Sequence, residues 1–208
     1  MSPTLRGTGR QYWVAVRAMI VLTALLGVVY PLVMTGIGQL TMPAQANGSL
    51  ITSNGATVGS SLIGQSFTDK KGKPLPQWFQ SRPSAAGDGY DANASSPSNL
   101  GPNNPDLTKA VRERKATIEK VDSVDAASIP PDALTASGSG LDPHISPAYA
   151  LLQVDAVANA RGISASKVEA LVKSMIQGRD LGYLGEPTVN VLQLNLALSK
   201  MDPEGDKG

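Results

Sequence analysis

Apolar residues concentrate in one uninterrupted run near the start of the chain, which reads AMIVLTALLGVVYPLVMTGI over positions 18–37. No residue between Arg17 and Asp69 carries a charge. At about 1.5 Å per residue, a helix of this length spans roughly 30 Å, which is the thickness of the hydrocarbon core of a bilayer. The pattern therefore predicts a single transmembrane helix that occupies residues 13–40 with its flanks.

The charges around this run predict which way the helix is inserted. Arg6, Arg10 and Arg17 lie on its N-terminal side, and the run and everything before it lack acidic residues. Because basic residues are retained in the cytoplasm, we expect residues 1–12 to be a short cytoplasmic tail and residues 41–208 to be an extracytoplasmic domain. The exported side holds all but three of the 18 basic residues and all 17 acidic ones, so its formal charge is slightly negative.

A cleavable signal peptide is the alternative interpretation of the same run. Ala44-Gln45-Ala46 matches the A-x-A pattern after which signal peptidase cuts. Cleavage after Ala46 would release an independent exported binding protein or hydrolase. The apolar run is longer than the core of a typical signal peptide, which has about 7–15 residues, and this favours a retained anchor. In either case the main domain is exported.

Small residues recur at every fourth position of the predicted membrane helix. Thr23, Gly27, Pro31 and Thr35 therefore share one face, the docking face, which another helix can approach closely. Pro31 also predicts a local bend, because proline has no backbone N–H. We interpret the docking face as a surface for a larger membrane partner; the alternative is that glycine and proline are simply common in membrane helices. With no ionisable residue after Arg17, the helix cannot line an ion path by itself.

The exported part has the periodicities of both strands and helices, which predicts one α+β domain with a helical C-terminal third. Its first segment, residues 48–67, has two short β-favouring runs around Asn54-Gly55, a hairpin turn signal. Residues 68–107 are rich in Pro, Gly, Ser and Asn but also contain three aromatic residues. An ordered loop held against the core is therefore predicted there, with disorder as the alternative. The charged residues 106–122 predict a surface helix.

The segment SGSGLDPHISPAYA, residues 137–150, leads from a glycine–serine loop into a predicted helix. Ser146 is the expected N-cap, Pro147 lies in the first turn, and Gly162 ends the helix. Exposed backbone N–H groups at such a start favour phosphate or carboxylate. The candidate anion site comprises Ser139, Gly140, His144 and Ser146. The alternative is that the glycines permit a tight turn and that His144 bonds locally.

Two further helices are predicted after this one. The second begins at Ser164 or at Ser166, and in the latter case Ser166 would form a capping box with Glu169. Its apolar stripe, which indicates core, comprises Val168, Leu171, Val172, Met175 and Ile176. The last helix covers residues 186–200, with a strand over residues 189–191 that leads into a helix as the alternative. Its predicted inward face comprises Val189, Leu192 and Leu196.

Candidate chemistry is sparse in this chain. It has no cysteine and a single histidine, which excludes disulfides, iron–sulfur clusters and thiolate zinc sites. No serine or cysteine triad can be assembled around His144, and no residue spacing predicts a metal site. A net charge of +1 gives no electrostatic footprint for nucleic acid. We therefore expect no catalytic residues, no metal and no nucleic-acid partner.

Three blocks of the exported part are distinctive. They read RPSAAGDGYDANASSPSNLGPNNPDL, LTASGSGLDPHISPAYALLQVDAVANARG and LGYLGEPTVNVLQLNLAL. Together they resemble the C subunit of the bacterial Kdp system, a potassium-importing P-type ATPase, and the similarity runs from the anchor to about Met201. The resemblance implies a non-catalytic, single-pass subunit of the bacterial inner membrane. Its implied partners are an ATP-hydrolysing subunit, a potassium-selective channel-like subunit and a small single-helix subunit.

The resemblance also implies a role in nucleotide affinity. Members of the family are described as raising the ATP affinity of the hydrolytic subunit in a transient complex with ATP, and the matching glutamine here is Gln153. The family pattern Q-x-x-R-V-A is broken, because Ala156 replaces the arginine. The predicted topology also places Gln153 outside, away from cytoplasmic ATP. We therefore expect the exported domain to stabilise the complex or to shape the outer entrance of the potassium-selective subunit.

Overall fold

The computed structural model describes residues 5–207. The chain divides into two units, Met1–Ser49 and Leu50–Gly208. The first four residues of the predicted cytoplasmic tail, and the side chain of Arg6, lie outside the described residues.

A long helical segment forms most of the N-terminal unit. Its parts are α1 (Leu5–Ala24), a π turn (Leu25–Val29), α2 (Tyr30–Thr41) and the short helix α3 (Pro43–Ala46). Among the described residues, Thr8–Thr41 is the one stretch that is long and apolar enough to cross a membrane, with a mean hydropathy of 2.2. By length and composition, this agrees with the single transmembrane helix that the sequence predicts.

A π turn directly precedes the position at which Pro31 predicts a local bend of the helix. The Tyr30 N–H donates to the carbonyl oxygen of Leu25, five residues earlier. Pro31 has no N–H, and its ring crowds the carbonyl of the residue four positions before it. A wider turn next to the proline relieves that crowding while the chain remains helical.

A small hairpin opens the second unit. Strands β1 (Leu50–Ser53) and β2 (Ala56–Ser60) pair in antiparallel fashion. Asn54 and Gly55 between them both have positive φ, 50° and 79°, which is the backbone that a two-residue type I′ turn requires. The predicted hairpin is therefore confirmed, because asparagine and glycine are the residues that tolerate this backbone best.

The following loop is ordered and anchored to the core, as predicted. Residues 61–104 have little regular structure, yet the side chain of Phe79 within them is fully buried. Helix α4 (Pro105–Asp122) confirms the predicted charged helix. The side chain of Asn104 accepts a hydrogen bond from the Asp106 N–H and caps its start.

Short helices and a two-stranded ladder make up the rest of the domain. In chain order they are α5 (Pro131–Leu134), β3 (His144–Ile145), α6 (Pro147–Leu152), α7 (Val154–Arg161), α8 (Ala165–Ser174), β4 (Val189–Asn190) and α9 (Val191–Met201). The ladder pairs β3 with β4 in antiparallel fashion. Gly162, with φ 65°, ends α7 as predicted, but the single helix predicted from Pro147 onward is divided in two at Gln153.

The predicted capping box between Ser166 and Glu169 does not form. Helix α8 begins at Ala165, so Ser164 is the N-cap and Ser166 lies inside the helix, where the two hydroxyl groups are 2.6 Å apart. Glu169 instead pairs with Lys173 one turn later, at 2.6 Å. The alternative start at Ser164 is the correct one.

The inward face of the last helix agrees with the prediction only in part. Val189 belongs to β4, so α9 begins at Val191, and the strand alternative is confirmed. Of the three predicted inward residues, Val189 and Leu192 are buried and Leu196 is only half-buried. The buried residues of α9 also include Val191, Leu194, Asn195 and Leu198. Because residues 189 and 190 belong to the strand, the helix begins later than predicted and a different set of its residues faces inward. One of these inward residues, Asn195, is polar.

One hydrophobic core holds the second unit together. Its fully buried members include Phe79, Ile145, Val157, Val168, Val172, Val189, Leu194 and Leu198. These residues come from the loop, the ladder and three helices, so each short helix depends on its neighbours for most of its stability.

Candidate functional site

Two buried carboxamides hold the loop to the core at adjacent residues. The Phe79 N–H donates to Asn195 Oδ1 at 2.9 Å, and Asn195 Nδ2 donates back to the Phe79 carbonyl oxygen at 2.9 Å. One residue later, the Gln80 N–H donates to Gln153 Oε1 at 2.6 Å, and Gln153 Nε2 donates to the Gln80 carbonyl oxygen at 3.3 Å. Each side-chain amide thus supplies the acceptor and the donor that a neighbouring strand would otherwise provide for this buried loop backbone.

A buried guanidinium anchors the same loop two residues earlier. Arg161 Nε donates to the Gln77 carbonyl oxygen at 2.7 Å, and the guanidinium lies 4.4 Å from the ring centroid of Trp78. Its remaining nitrogens reach the Asp202 carbonyl oxygen and Asp206 Oδ1, both at 2.9 Å. We call residues 77–80 with Gln153, Arg161 and Asn195 the loop anchor.

Gln153 is therefore built into the interior of the domain. It is 1% exposed, and its amide nitrogen also donates to the Tyr149 carbonyl oxygen at 3.3 Å. It sits at the junction of α6 and α7, where its backbone N–H does not continue the ladder of either helix. A direct contact with nucleotide would require its bonds to Gln80 to open. The nucleotide contact that the resemblance implies stays a prediction, and the contacts that Gln153 makes here position the loop.

The glycine–serine loop of the candidate anion site packs against another loop of the domain. The Ser139 carbonyl oxygen accepts hydrogen bonds from the Ser96 N–H and the Ser95 hydroxyl, both at 3.0 Å. Gly140 has φ 68°, and a Cβ there would lie 2.7 Å from the Ser96 carbonyl oxygen. Glycine is required at this position because both the backbone angle and the close approach exclude a side chain.

The helix start beyond that loop already holds a carboxylate of the chain itself. Asp132 accepts hydrogen bonds from the Ser146 N–H at 2.7 Å and from the Ser146 hydroxyl at 2.9 Å. The Ser146 hydroxyl also caps α6 by accepting from the Tyr149 N–H at 3.0 Å. The expected preference for an anion is thus met internally by Asp132.

His144 bonds locally. Its backbone N–H donates to Asp142 Oδ1 at 3.0 Å, and its ring nitrogen Nδ1 lies 3.3 Å from the same oxygen. Burial opposes the ionisation of Asp142, but the bonds from His144 and the nearby Arg82 together keep the pKa of Asp142 below its ordinary value. The local alternative for this histidine therefore fits the geometry.

A cavity of about 360 Å³ lies between α4, the loop over residues 66–90 and α6. The charged side chains that line it are Arg82, Glu113, Arg114 and Asp122. Arg82 forms an ion pair with Asp142 at 3.0 Å, and Arg114 Nη1 donates to the Leu134 carbonyl oxygen at 2.8 Å. Tyr90 donates its hydroxyl to the Arg82 carbonyl oxygen at 2.7 Å, and burial raises the pKa of Tyr90 to about 12.

Sequence reasoning missed this cavity, although one local signal was present. Asp122 is the last residue of α4, where the helix dipole disfavours a negative charge. Burial raises the pKa of Asp122 to about 6. In the part of the chain that the structure describes, no three His, Asp or Glu side chains are grouped so that they could hold a metal ion.

The docking face runs across the π turn of the membrane helix. All four of its residues are exposed in the isolated chain, and a Cβ at Gly27 would lie 3.8 Å from Thr23 Cγ2, so these two positions are neighbours. In an α-helix, four residues overshoot a full turn by roughly 40°. A π turn takes more residues per turn, so it reduces this offset between Gly27 and Pro31. The partner contact itself stays a prediction.

Comparison with known proteins gives a consistent match. The sequence profile of the family described as KdpC, "K+-transporting ATPase, c chain", matches residues 12–200. The "Potassium-transporting ATPase KdpC subunit" of Kineococcus radiotolerans is 53% identical over 203 residues, which cover 98% of this chain and all of that protein. The match thus includes both units of the chain.

Two other relatives carry the same name. The subunit from Beijerinckia indica is 53% identical over 89% of this chain and 91% of its own length. That from Mycobacterium tuberculosis strain H37Rv is 50% identical over 92% of this chain and 99% of its own length. The chain therefore aligns with nearly whole proteins and not with an isolated domain of them.

Proposed function

Because the chain belongs to the KdpC family of potassium-transporting ATPase subunits, we propose that it is a non-catalytic accessory subunit of an ATP-driven potassium importer. The observation that carries the proposal is that the match covers the apolar helix and the domain together. Three polar residues buried in the domain, Gln153, Arg161 and Asn195, are engaged in holding residues 77–80, which suits a scaffold. ATP hydrolysis is then the task of another chain.

The partners proposed are the ATP-hydrolysing subunit, the potassium-selective channel-like subunit and the small single-helix subunit. The docking face, Thr23, Gly27, Pro31 and Thr35, would meet a membrane helix of one of them, because small residues let two backbones approach closely. The alternative function, a free binding protein or hydrolase released after Ala46, gains no support, since the relatives that match over their whole length are named as ATPase subunits.

The domain is proposed to lie outside the membrane, with the N-terminal end of α1 inside. Support comes from Arg10 and Arg17 on the N-terminal side of the apolar run over residues 18–37 and from the absence of charge along that run. The potassium-selective subunit would then meet a domain of slightly negative formal charge, which does not repel cations.

Single cysteines test this orientation directly, since the chain has none of its own. Ala170→Cys, at an exposed position of α8, is expected to react with an impermeant maleimide in intact spheroplasts. Thr8→Cys, at the other end of the chain, serves as the matched control and is expected to react only after lysis. The reverse pattern of labelling would contradict the proposed orientation.

A chain that ends at Ser49 tests the accessory role, because it retains the whole N-terminal unit and removes the second one. We expect severalfold less intact complex after purification in detergent and a weaker apparent affinity for potassium. The control is the full chain expressed from the same promoter, with membrane insertion of both chains verified by fractionation. Unchanged assembly together with unchanged potassium affinity would show that the domain has no such role.

We propose that this chain affects ATP binding indirectly, through the hydrolytic subunit in a transient complex with ATP. No cofactor is proposed to be bound permanently to this chain. The burial of Gln153 and its bonds to Gln80 favour this form of the proposal over a direct nucleotide contact. The proposed orientation favours it as well, because ATP is available on the opposite side of the membrane.

A further inference from the structure

The segment that follows α2 folds back on that helix. Met42, with φ −141° and ψ 61°, turns the chain between α2 and α3. A Cβ on Gly38, in the last turn of α2, would lie 3.7 Å from the Cβ of Ala46, the last residue of α3, so the two helices are in contact. We call residues 38–49 the corner, and all of them belong to the N-terminal unit.

Two side-chain amides close the corner. Gln39 Nε2 donates to Asn47 Oδ1 at 3.1 Å, and Asn47 Nδ2 donates back to Gln39 Oε1 at 3.0 Å. Asn47 Nδ2 also donates to the Pro43 carbonyl oxygen at 2.7 Å. These bonds join the last turn of α2 to the residue that follows α3, so they hold the two helices together at the corner.

The corner contains the A-x-A pattern of residues 44–46, and the backbone of that pattern is engaged in hydrogen bonds. The Ala46 N–H donates to the Met42 carbonyl oxygen at 2.9 Å, and the Ala44 carbonyl oxygen accepts from the Ser49 N–H at 2.8 Å. Both alanines that signal peptidase would recognise therefore lie in the helix α3 and use backbone groups to hold the corner.

This conformation is the wrong one for a protease. Proteases bind the residues before the cleaved bond as an extended strand, through the backbone N–H and carbonyl groups of those residues. Residues 44–46 are not extended while α3 is formed, so the corner must open before it can be cut. When a folded segment opens and closes faster than it is cleaved, the rate of cleavage is proportional to the open fraction. Each hydrogen bond that closes the corner therefore lowers the rate of hydrolysis after Ala46.

From this geometry we infer that the folded corner protects the peptide bond between Ala46 and Asn47 from signal peptidase, with Gln39 and Asn47 as the side chains that keep the corner closed. The A-x-A pattern is present in the sequence, but its fold makes it inaccessible, so the length of the apolar run is not the sole reason that the N-terminal helix is retained. The inference does not depend on the proposed accessory function, because that function requires a retained helix whatever the cause of its retention.

Cleavage of the purified full chain by purified signal peptidase in detergent tests the inference. Gln39→Met removes the amide pair but leaves residues 44–47 unchanged, and it is expected to raise the rate of cleavage roughly tenfold, as the loss of two hydrogen bonds predicts. Gly38→Leu opens the corner by another route, because its side chain collides with Ala46, and should also raise the rate. Mass spectrometry identifies the cleaved bond, since hydrolysis consumes one water and leaves a carboxylate on Ala46 and an amino group on Asn47.

Gln11→Met is the matched control, because it makes the same substitution in α1, outside the corner. It is expected to be cleaved as slowly as the wild type. Ala46→Tyr in the Gln39→Met background removes the small residue before the bond and should abolish the cleavage. Rates after Ala46 that are equal for the wild type, Gln39→Met and Gly38→Leu, whether all fast or all negligible, would overturn the inference. Equal and negligible rates would assign retention to the length of the apolar run and leave the accessory function unaffected.

Discussion

Arg161→Met is expected to lower the free energy of unfolding of the second unit by about 3–5 kcal/mol, the usual cost of removing one partner from a buried ion pair. The Arg161 side chain is 0% exposed, forms ion pairs with Asp202 and Asp206, and donates a hydrogen bond to the Gln77 carbonyl oxygen. Methionine fills much of the volume but provides no donor for these oxygens. Urea unfolding of the purified chain, followed by circular dichroism and by the fluorescence of Trp78 in a Trp13→Phe background, measures the change.

Arg179→Met is the control for this prediction. Arg179 pairs with Glu186, but the two side chains are 43% and 75% exposed, so the same substitution should cost at most about 1 kcal/mol. Arg161→Lys, which keeps the charge but loses the planar fork of donors, should fall between the two. Equal effects of Arg161→Met and Arg179→Met would show that the buried guanidinium contributes no more than a surface pair.

Asn195→Leu is expected to lower the free energy of unfolding by about 2–4 kcal/mol, because it leaves both the N–H and the carbonyl oxygen of Phe79 buried without a partner. Gln153→Leu does the same to Gln80 and is expected to cost a similar amount. The two variants thus form a matched pair of substitutions in the loop anchor, and urea unfolding compares them.

The same pair separates a structural role of Gln153 from a role in nucleotide affinity. In the purified complex, we expect the apparent KM for ATP to respond equally to Gln153→Leu and Asn195→Leu, since both loosen the same loop. A loss of ATP affinity with Gln153→Leu alone, in complexes of equal thermal stability, would contradict the structural account and support a specific nucleotide contact.

Several parts of the fold follow from short stretches of sequence because their causes are local. The apolar run over residues 18–37 predicts the candidate membrane helix by its length alone. Asn54-Gly55, the Ser146 cap and Gly162 act through their own backbone angles or through bonds three residues away. Errors arise where two local options compete, as at the start of α8, or where two residues of strand shift the phase of α9.

The candidate sites were less accessible to sequence reasoning, because their residues come from distant positions. Asp132, which accepts hydrogen bonds at the start of α6, lies 14 residues before Ser146 in the chain. Nothing in the sequence around Asp132 indicates that it contacts the start of that helix. The cavity brings Asp122 and Tyr149 together from two helices that are separated by a Pro-containing connector. Asp122 stands out locally only as an acid at a helix C-terminus, which is a weak signal by itself.

The sequence by itself determines the long apolar helix, the hairpin and the ends of most helices, since each depends on contacts within one or two turns of chain. Only the tertiary structure decides the roles of Gln153, Arg161 and Asn195. Their partners in the loop lie 73, 84 and 116 residues away. A polar residue on an otherwise apolar helix face is explained once the loop backbone that it satisfies is in place. The physical reason is that a buried loop must find donors and acceptors for its backbone, and chain folding alone determines which side chains supply them.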